Sequence, residues 1–151
     1  MIGTLSDPEI ENVLNGNIFG RLGCNDGFRT YVVPINYVYD GKNIIAHSIE
    51  GMKIHMMRSN PNVCFEVDEM KSYTEWKSVI VWGHYQELTN ERDRYQALKL
   101  FVDRMLHSKI SKTAMPPDML AKKVHPKAPE HIKPVIYRIV ITEKSGRYEN
   151  E

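Results

Sequence analysis

Apolar positions along this chain switch between a spacing of two and a spacing of three to four, and the switches divide it into short strands and a few helices. In residues 62–68, Val63, Phe65 and Val67 alternate with Cys64, Glu66 and Asp68, the pattern of a strand with one buried face. Residues 17–24 (NIFGRLGC), 29–39 (RTYVVPINYVY), 43–47 (NIIAH), 78–88 and 135–142 (VIYRIVIT) share this β character. Asn25-Asp26-Gly27 and Asp40-Gly41 are turn sequences, so the first three of these segments are predicted to form a meander.

Helical signals lie between the strands. Ser6, with Glu9 three residues later and Leu5 and Ile10 at the staple positions, predicts a capped helix over 7–14 that Gly16 stops. A second short helix is predicted over 51–58 and ends before Asn60-Pro61. A third, capped by Thr89 or Asn90, carries Tyr95, Leu98, Phe101, Val102, Met105 and Leu106 on a stripe predicted to face the core. Residues 107–133 are broken by Pro116, Pro117, Pro126 and Pro129, leaving room for a helical turn or two around 118–124. Strands outnumber helices, and an antiparallel sheet of this size avoids open edges by closing. The expected fold is therefore mainly β, a small antiparallel barrel with peripheral helices.

Length and charge narrow the function classes. A chain of 151 residues can bury its own core, so residues 1–151 are expected to form a single domain. Twenty Lys and Arg against nineteen Asp and Glu leave a net charge of +1, which creates no general attraction for nucleic acid or an anionic membrane. Any anion must be caught locally. No apolar run is long enough to span a bilayer and residues 1–16 lack a secretory signal, so a cytoplasmic location is expected. Cys24 and Cys64, each within an apolar stretch, are expected to be buried reduced thiols. The six histidines show no metal-ligand spacing, and neither a G-x-S-x-G nor a G-x-G-x-x-G sequence is present. Chemistry would then belong to a bound cofactor, with no resident metal.

Three stretches can hold one. In HSIEGMK, His47, Ser48, Gly51 and Lys53 fall where a strand ends and a helix begins. A hydroxyl, open helix N–H groups and a cation there suit a phosphate; the alternative is a capped helix with a solvated lysine. In VPINY, Pro34 and Asn36 interrupt an otherwise apolar strand. They leave a gap where a planar ring can approach the backbone and Asn36 can read its imide edge, or they mark an edge strand or bulge. Trp82-Gly83 permits close backbone approach beside an aromatic that covers a ligand, fills an interface or packs in the core.

GRLGC at 20–24, YVVPINYVYDGKNI at 31–44, HSIEGMK at 47–53, NPNVCFEVDE at 60–69 and SVIVWGHYQEL at 78–88 follow one another in an order that resembles the pyridoxamine 5'-phosphate oxidase-like superfamily, in its flavin-nucleotide-binding, 5-nitroimidazole-resistance-like branch. The resemblance implies a homodimeric, Greek-key-like split β-barrel with FMN at the subunit interface. It puts the FMN phosphate at His47, Ser48 and Lys53, the flavin ring along Pro34, Ile35, Asn36 and Tyr37, and Trp82-Gly83 from the second subunit. It implies an FMN-dependent oxidoreductase acting on a small molecule such as a nitro-aromatic, with a nicotinamide electron donor. A non-catalytic flavin- or haem-binding module, with His84 or His125 toward haem, a deazaflavin protein and a bare structural barrel are the alternatives. No second basic cluster supports pyridoxamine-phosphate oxidation itself, and residues 107–133 match nothing in the pattern.

Overall fold

Val63, Phe65 and Val67 line the interior as their alternation requires, and the strand that carries them extends further than the pattern did. In the computed structural model, which describes residues 1–107 and 133–151, the chain forms β1 (Ile2–Thr4), α1 (Asp7–Gly16), β2 (Phe19–Asn25), β3 (Thr30–Asn36), β4 (Val38–Tyr39), β5 (Asn43–Ser48), α2 (Met52–Ser59), β6 (Asn62–Ser72), β7 (Glu75–Glu87), α3 (Glu91–Leu106) and β8 (Val135–Glu149). The helical turn expected at 118–124 lies outside the described residues. None of the described helices is long and apolar enough to cross a membrane.

All pairings are antiparallel, in the order β3-β2-β6-β7-β8-β5-β4, with β1 added alongside β8. The expected meander does not form. Residues 29–39 divide at Tyr37: the first part, β3, pairs with β2, and the second, β4, pairs with β5 at the opposite end of the strand order. The cause is Tyr37 itself. Its N–H donates to the Ile18 carbonyl (2.9 Å), its hydroxyl donates to the Leu14 carbonyl (2.8 Å), and its ring meets Phe65 edge-on at 4.8 Å. One segment thus supplies both ends of the sheet, which curls on itself as a split barrel. The two turns flanking this segment form as expected, with φ +98° at Gly27 and +91° at Gly41, a region that favours glycine.

Leu14, Leu22, Phe65, Val67, Val79, Val81, Tyr137 and Ile139 belong to the main core, and α1 and α2 add Val13, Ile54 and Met57 to it. α1 begins with the expected reciprocal cap between Ser6 and Glu9, and Leu5 and Ile10 pack over Gly146. α3 lies outside the barrel. Its Ala97, Phe101 and Met105, spaced by four, and Val102 are buried against β4, β5 and β8, while Tyr95 and Leu106, expected to face the core, are exposed. A helix laid on the outside of a barrel buries one narrow line of residues, and Tyr95 sits two positions from it.

The cysteines divide as well. Cys24 is buried, and burial pushes its thiol pKa up. Cys64 is exposed, against expectation. It occupies the outward register of β6, opposite Gly23 and Trp82.

Candidate functional site

Register places the outward-facing residues of four strands in rows. Val32, Gly23, Cys64 and Trp82 form one row across β3, β2, β6 and β7; Pro34, Arg21, Glu66 and Ile80 form the next. Pro34 and Trp82 therefore share the outer face but stand on strands about 14 Å apart, at roughly 4.8 Å per strand step. Arg21 reaches Glu66 (3.5 Å) and Asp68 (3.4 Å) along this face. Burial raises the Glu66 carboxyl pKa, and Ser78 donates to it at 2.9 Å.

β3 is the edge of the sheet path beyond β2, which explains how it tolerates Pro34. An edge strand leaves every second backbone N–H and C=O without a strand partner. Pro34 is exposed and Asn36 half-buried, and the Asn36 side chain has no hydrogen-bond partner among the described residues. Ile35 and Tyr37 turn the other way, into the core. Only their backbone atoms can meet a ligand on this edge.

α2 starts at Gly51 with no side-chain cap and no acidic residue in its first turn. The N–H groups of that turn are open, and the end of the helix carries partial positive charge. Half-buried Lys53 stands in the same turn, its pKa depressed by burial, with neighbouring Cys24 acting the other way. No salt bridge or hydrogen-bond acceptor engages it among the described residues. The nearest carboxylate in sequence, Glu50, is taken by Arg58 through two 2.8 Å contacts and by His55 at 3.2 Å. The turn therefore remains electropositive.

The other residues named from sequence are less closely gathered. Ser48 faces inward and its hydroxyl donates to the Ile49 carbonyl at 2.8 Å. His47, next along β5, takes the opposite face and meets the Phe101 ring of α3 edge-on at 4.8 Å. Strand alternation, available in the sequence, separates these two side chains. Trp82 is 39% exposed on the outer face. Gly83 is buried at a register shift between β7 and β8, where a Cβ would collide with the Val140 carbonyl. The close approach it permits is thus made by the chain's own backbone. His84 is exposed on β7, and His125 lies outside the described residues. Arg29, passed over in the sequence, sits near the start of α2, its guanidinium 3.8 Å from the Met52 sulfur.

A curled antiparallel sheet closed through one shared segment, with peripheral helices, defines a split-barrel protein, and solved structures share it. A FAD-binding protein from Mesorhizobium loti matches with a TM-score of 0.75 and 32% identity, covering 100% of this chain and 98% of that one. A candidate 5-nitroimidazole antibiotic resistance protein from Bacteroides thetaiotaomicron matches with a TM-score of 0.72 at 18% identity, over 98% of this chain and 89% of that one. Over 87 residues the chain is 39% identical to an uncharacterized protein of Rhizobium meliloti (strain 1021), a match spanning 58% of each. The profile of the pyridoxamine 5'-phosphate oxidase family matches residues 6–148, and the chain belongs to that family.

Proposed function

We propose that this protein is a homodimeric flavoprotein that binds a flavin nucleotide, FMN or FAD, and uses it as a flavin-dependent oxidoreductase on a small molecule. The observation that carries the reading is Lys53, half-buried without a partner beside the open start of α2. A cation and free N–H groups converging on one point suit a phosphate ester. Lys53 and the first turn of α2 hold the phosphate, with Ser48 nearby and His47 contributing through its backbone. The ring lies along Pro34, Ile35, Asn36 and Tyr37, where the open edge of β3 meets its polar rim. Trp82 and Gly83 of the partner subunit complete the site.

The dimer draws support from the outer face, where Phe19, Val32, Ile80 and Trp82 are exposed apolar side chains of the kind that mark an interface. Pro34 and Trp82 stand three strand steps apart on the outer face, which supports a ring shared between two copies of the chain. When bound, the flavin supplies the electron transfer. The chain's own residues fix the phosphate, orient the ring and exclude water from one of its faces. A nicotinamide nucleotide as donor and a nitro-aromatic as acceptor are the reactants proposed.

The absorption spectrum of the purified protein tests this directly, with flavin bands expected. Protein that carries no flavin and leaves FMN and FAD fluorescence unquenched at micromolar concentration ends the reading. Anaerobic reduction of the bound flavin by NADH or NADPH, followed by reoxidation with a nitro-aromatic, separates an enzyme from a binding module. Sedimentation should give a dimer.

A further inference from the structure

Resting on the flavin reading above, we propose that the groove between the β2–β3 turn and α2 is a nucleotide subsite that takes the adenylate half of FAD. The groove has a volume of about 530 Å³ and is lined by Asp26, Phe28, Arg29, Gly51, Met52 and His55, among others. Gly51 and Met52, at the start of α2 where the first phosphate is assigned, are part of its lining, so a ligand held there can extend into it.

The order of features along β3 gives the direction. Cys24, the thiol that acts on Lys53, pairs with Tyr31. Pro34 and Asn36 lie on one side of Tyr31, and the turn bearing Arg29 and Phe28 lies on the other. The ring edge and the groove therefore lie toward opposite ends of a single strand, with the start of α2 at the groove end. From Asn36 to Arg29 the distance is about 23 Å, at roughly 3.3 Å per residue, room for a dinucleotide laid lengthwise.

The lining suits an adenosine phosphate. Arg29 forms no salt bridge among the described residues. The pKa of the neighbouring Asp26 carboxyl is lowered by the N–H groups of Arg29 and Phe28 and then by the Arg29 charge, and the guanidinium, beside Met52, has donors left to meet a second phosphate. Phe28 is 95% exposed, yet its turn is rigid: Asp26 Oδ1 accepts from the N–H groups of Phe28 and Arg29, both at 2.8 Å, and Asn25 Oδ1 accepts from Gly27 N–H at 2.6 Å. An exposed aromatic ring carried on such an ordered turn offers a stacking face for a base. Charge argues against the larger cleft, about 890 Å³, where Glu9, Glu69, Glu75 and Glu149 outnumber Lys71 and Lys77 and leave a net negative lining, whereas Arg29 and Asp26 balance in the groove.

Affinities of FAD and FMN, measured by fluorescence titration of the full chain, test the subsite. Wild type should bind FAD at least tenfold more tightly than FMN. Arg29→Ala and Phe28→Ala should each lower the FAD-to-FMN affinity ratio by about tenfold, the worth of one charge-assisted contact or one stacked base. Both side chains are exposed, so the variants should keep the fold, which circular dichroism checks. Equal affinities in wild type, or an unaltered ratio in both variants, overturns the subsite and leaves the flavin reading standing. Failure of both flavins to bind overturns both readings.

Discussion

The starts of α1 and α2 solve the same electrostatic problem in opposite ways. At α1, Ser6 and Glu9 cap one another's backbone, and Asp7 and Glu9 place negative charge in the first turn. That helix end is satisfied from within the chain. At α2, Gly51 offers no side chain, no acid occupies the first turn, and the turn contributes Lys53 instead. α3 follows α1, with Asn90 accepting from Arg92 and Asp93 N–H groups. A chain that caps two helices well has the means to cap a third, so what α2 lacks is informative beside a cation without a partner. The one serves stability and the other is available to a ligand.

Four experiments break or sharpen this contrast. The largest effect should come from Lys53→Ala, which removes a charge-assisted contact to phosphate. FMN affinity should fall roughly tenfold to a hundredfold while riboflavin, which has no phosphate, binds as before. An FMN-to-riboflavin ratio that survives the substitution removes Lys53 from the phosphate site. Next, Gly51→Asp should convert the start of α2 into a copy of α1. A Cβ there meets only the Ile49 carbonyl at 3.9 Å, so the side chain fits. Stability should rise by a few tenths of a kcal/mol to about 1 kcal/mol, and FMN affinity should drop about tenfold, read by denaturant melts and titration of one preparation. Loss of both, or gain of both, erases the contrast.

Ser6→Ala should do the reverse, costing about 0.5–2 kcal/mol of stability and leaving the FMN-to-riboflavin ratio unchanged. The smallest effect is on pH dependence. Burial holds Lys53 below its ordinary value of 10.5 in the unliganded fold, so within that window the unfolded chain binds the extra proton. The Lys53 contribution to stability should therefore climb as pH rises through the window toward 10.5. It is opposite in sign to those of Cys24, Tyr37, Tyr39, Tyr85 and Tyr137, whose values burial raises, and it is read as the difference between wild type and Lys53→Met. A bound phosphate keeps the proton on Lys53 and should flatten the climb. Plots of urea midpoint against pH, with and without FMN, should differ in slope in wild type and share one slope in Lys53→Met.

Much of the fold was legible because local rules and tertiary structure agree over most of the chain. The Ser6–Glu9 cap, the turns at Gly27 and Gly41 and the inward row Val63, Phe65, Val67 all follow from neighbours a few residues apart. What escaped depends on distant partners. Tyr37 divides a continuous β sequence because Leu14, Ile18 and Phe65, remote in sequence, draw it inward. The exposure of Tyr95 depends on α3 lying outside the barrel, which its periodicity does not reveal. Among the candidate site residues, Pro34 and Asn36 stood out because each breaks a local preference, and Lys53 because a cation beside a helix start suits an anion. Placing His47 with Ser48 overlooked strand alternation, which separates adjacent side chains. Arg29 and Phe28 offered no signal, since a polar turn looks the same whether or not a helix end lies beside it.

The position of β8 also governs how the molecule can be made. Residues 135–149 lie between β7 and β5 and also border β1. Until they leave the ribosome, the strands made earlier have no central member to join them, and β5 and β7 each present a bare edge. Such a nascent chain holds a partly exposed core and open edges, the features that invite association with other chains. Closure is thus a late event, dominated by contacts between residues far apart in sequence and correspondingly slow, and chaperone demand during synthesis should peak just before this strand emerges.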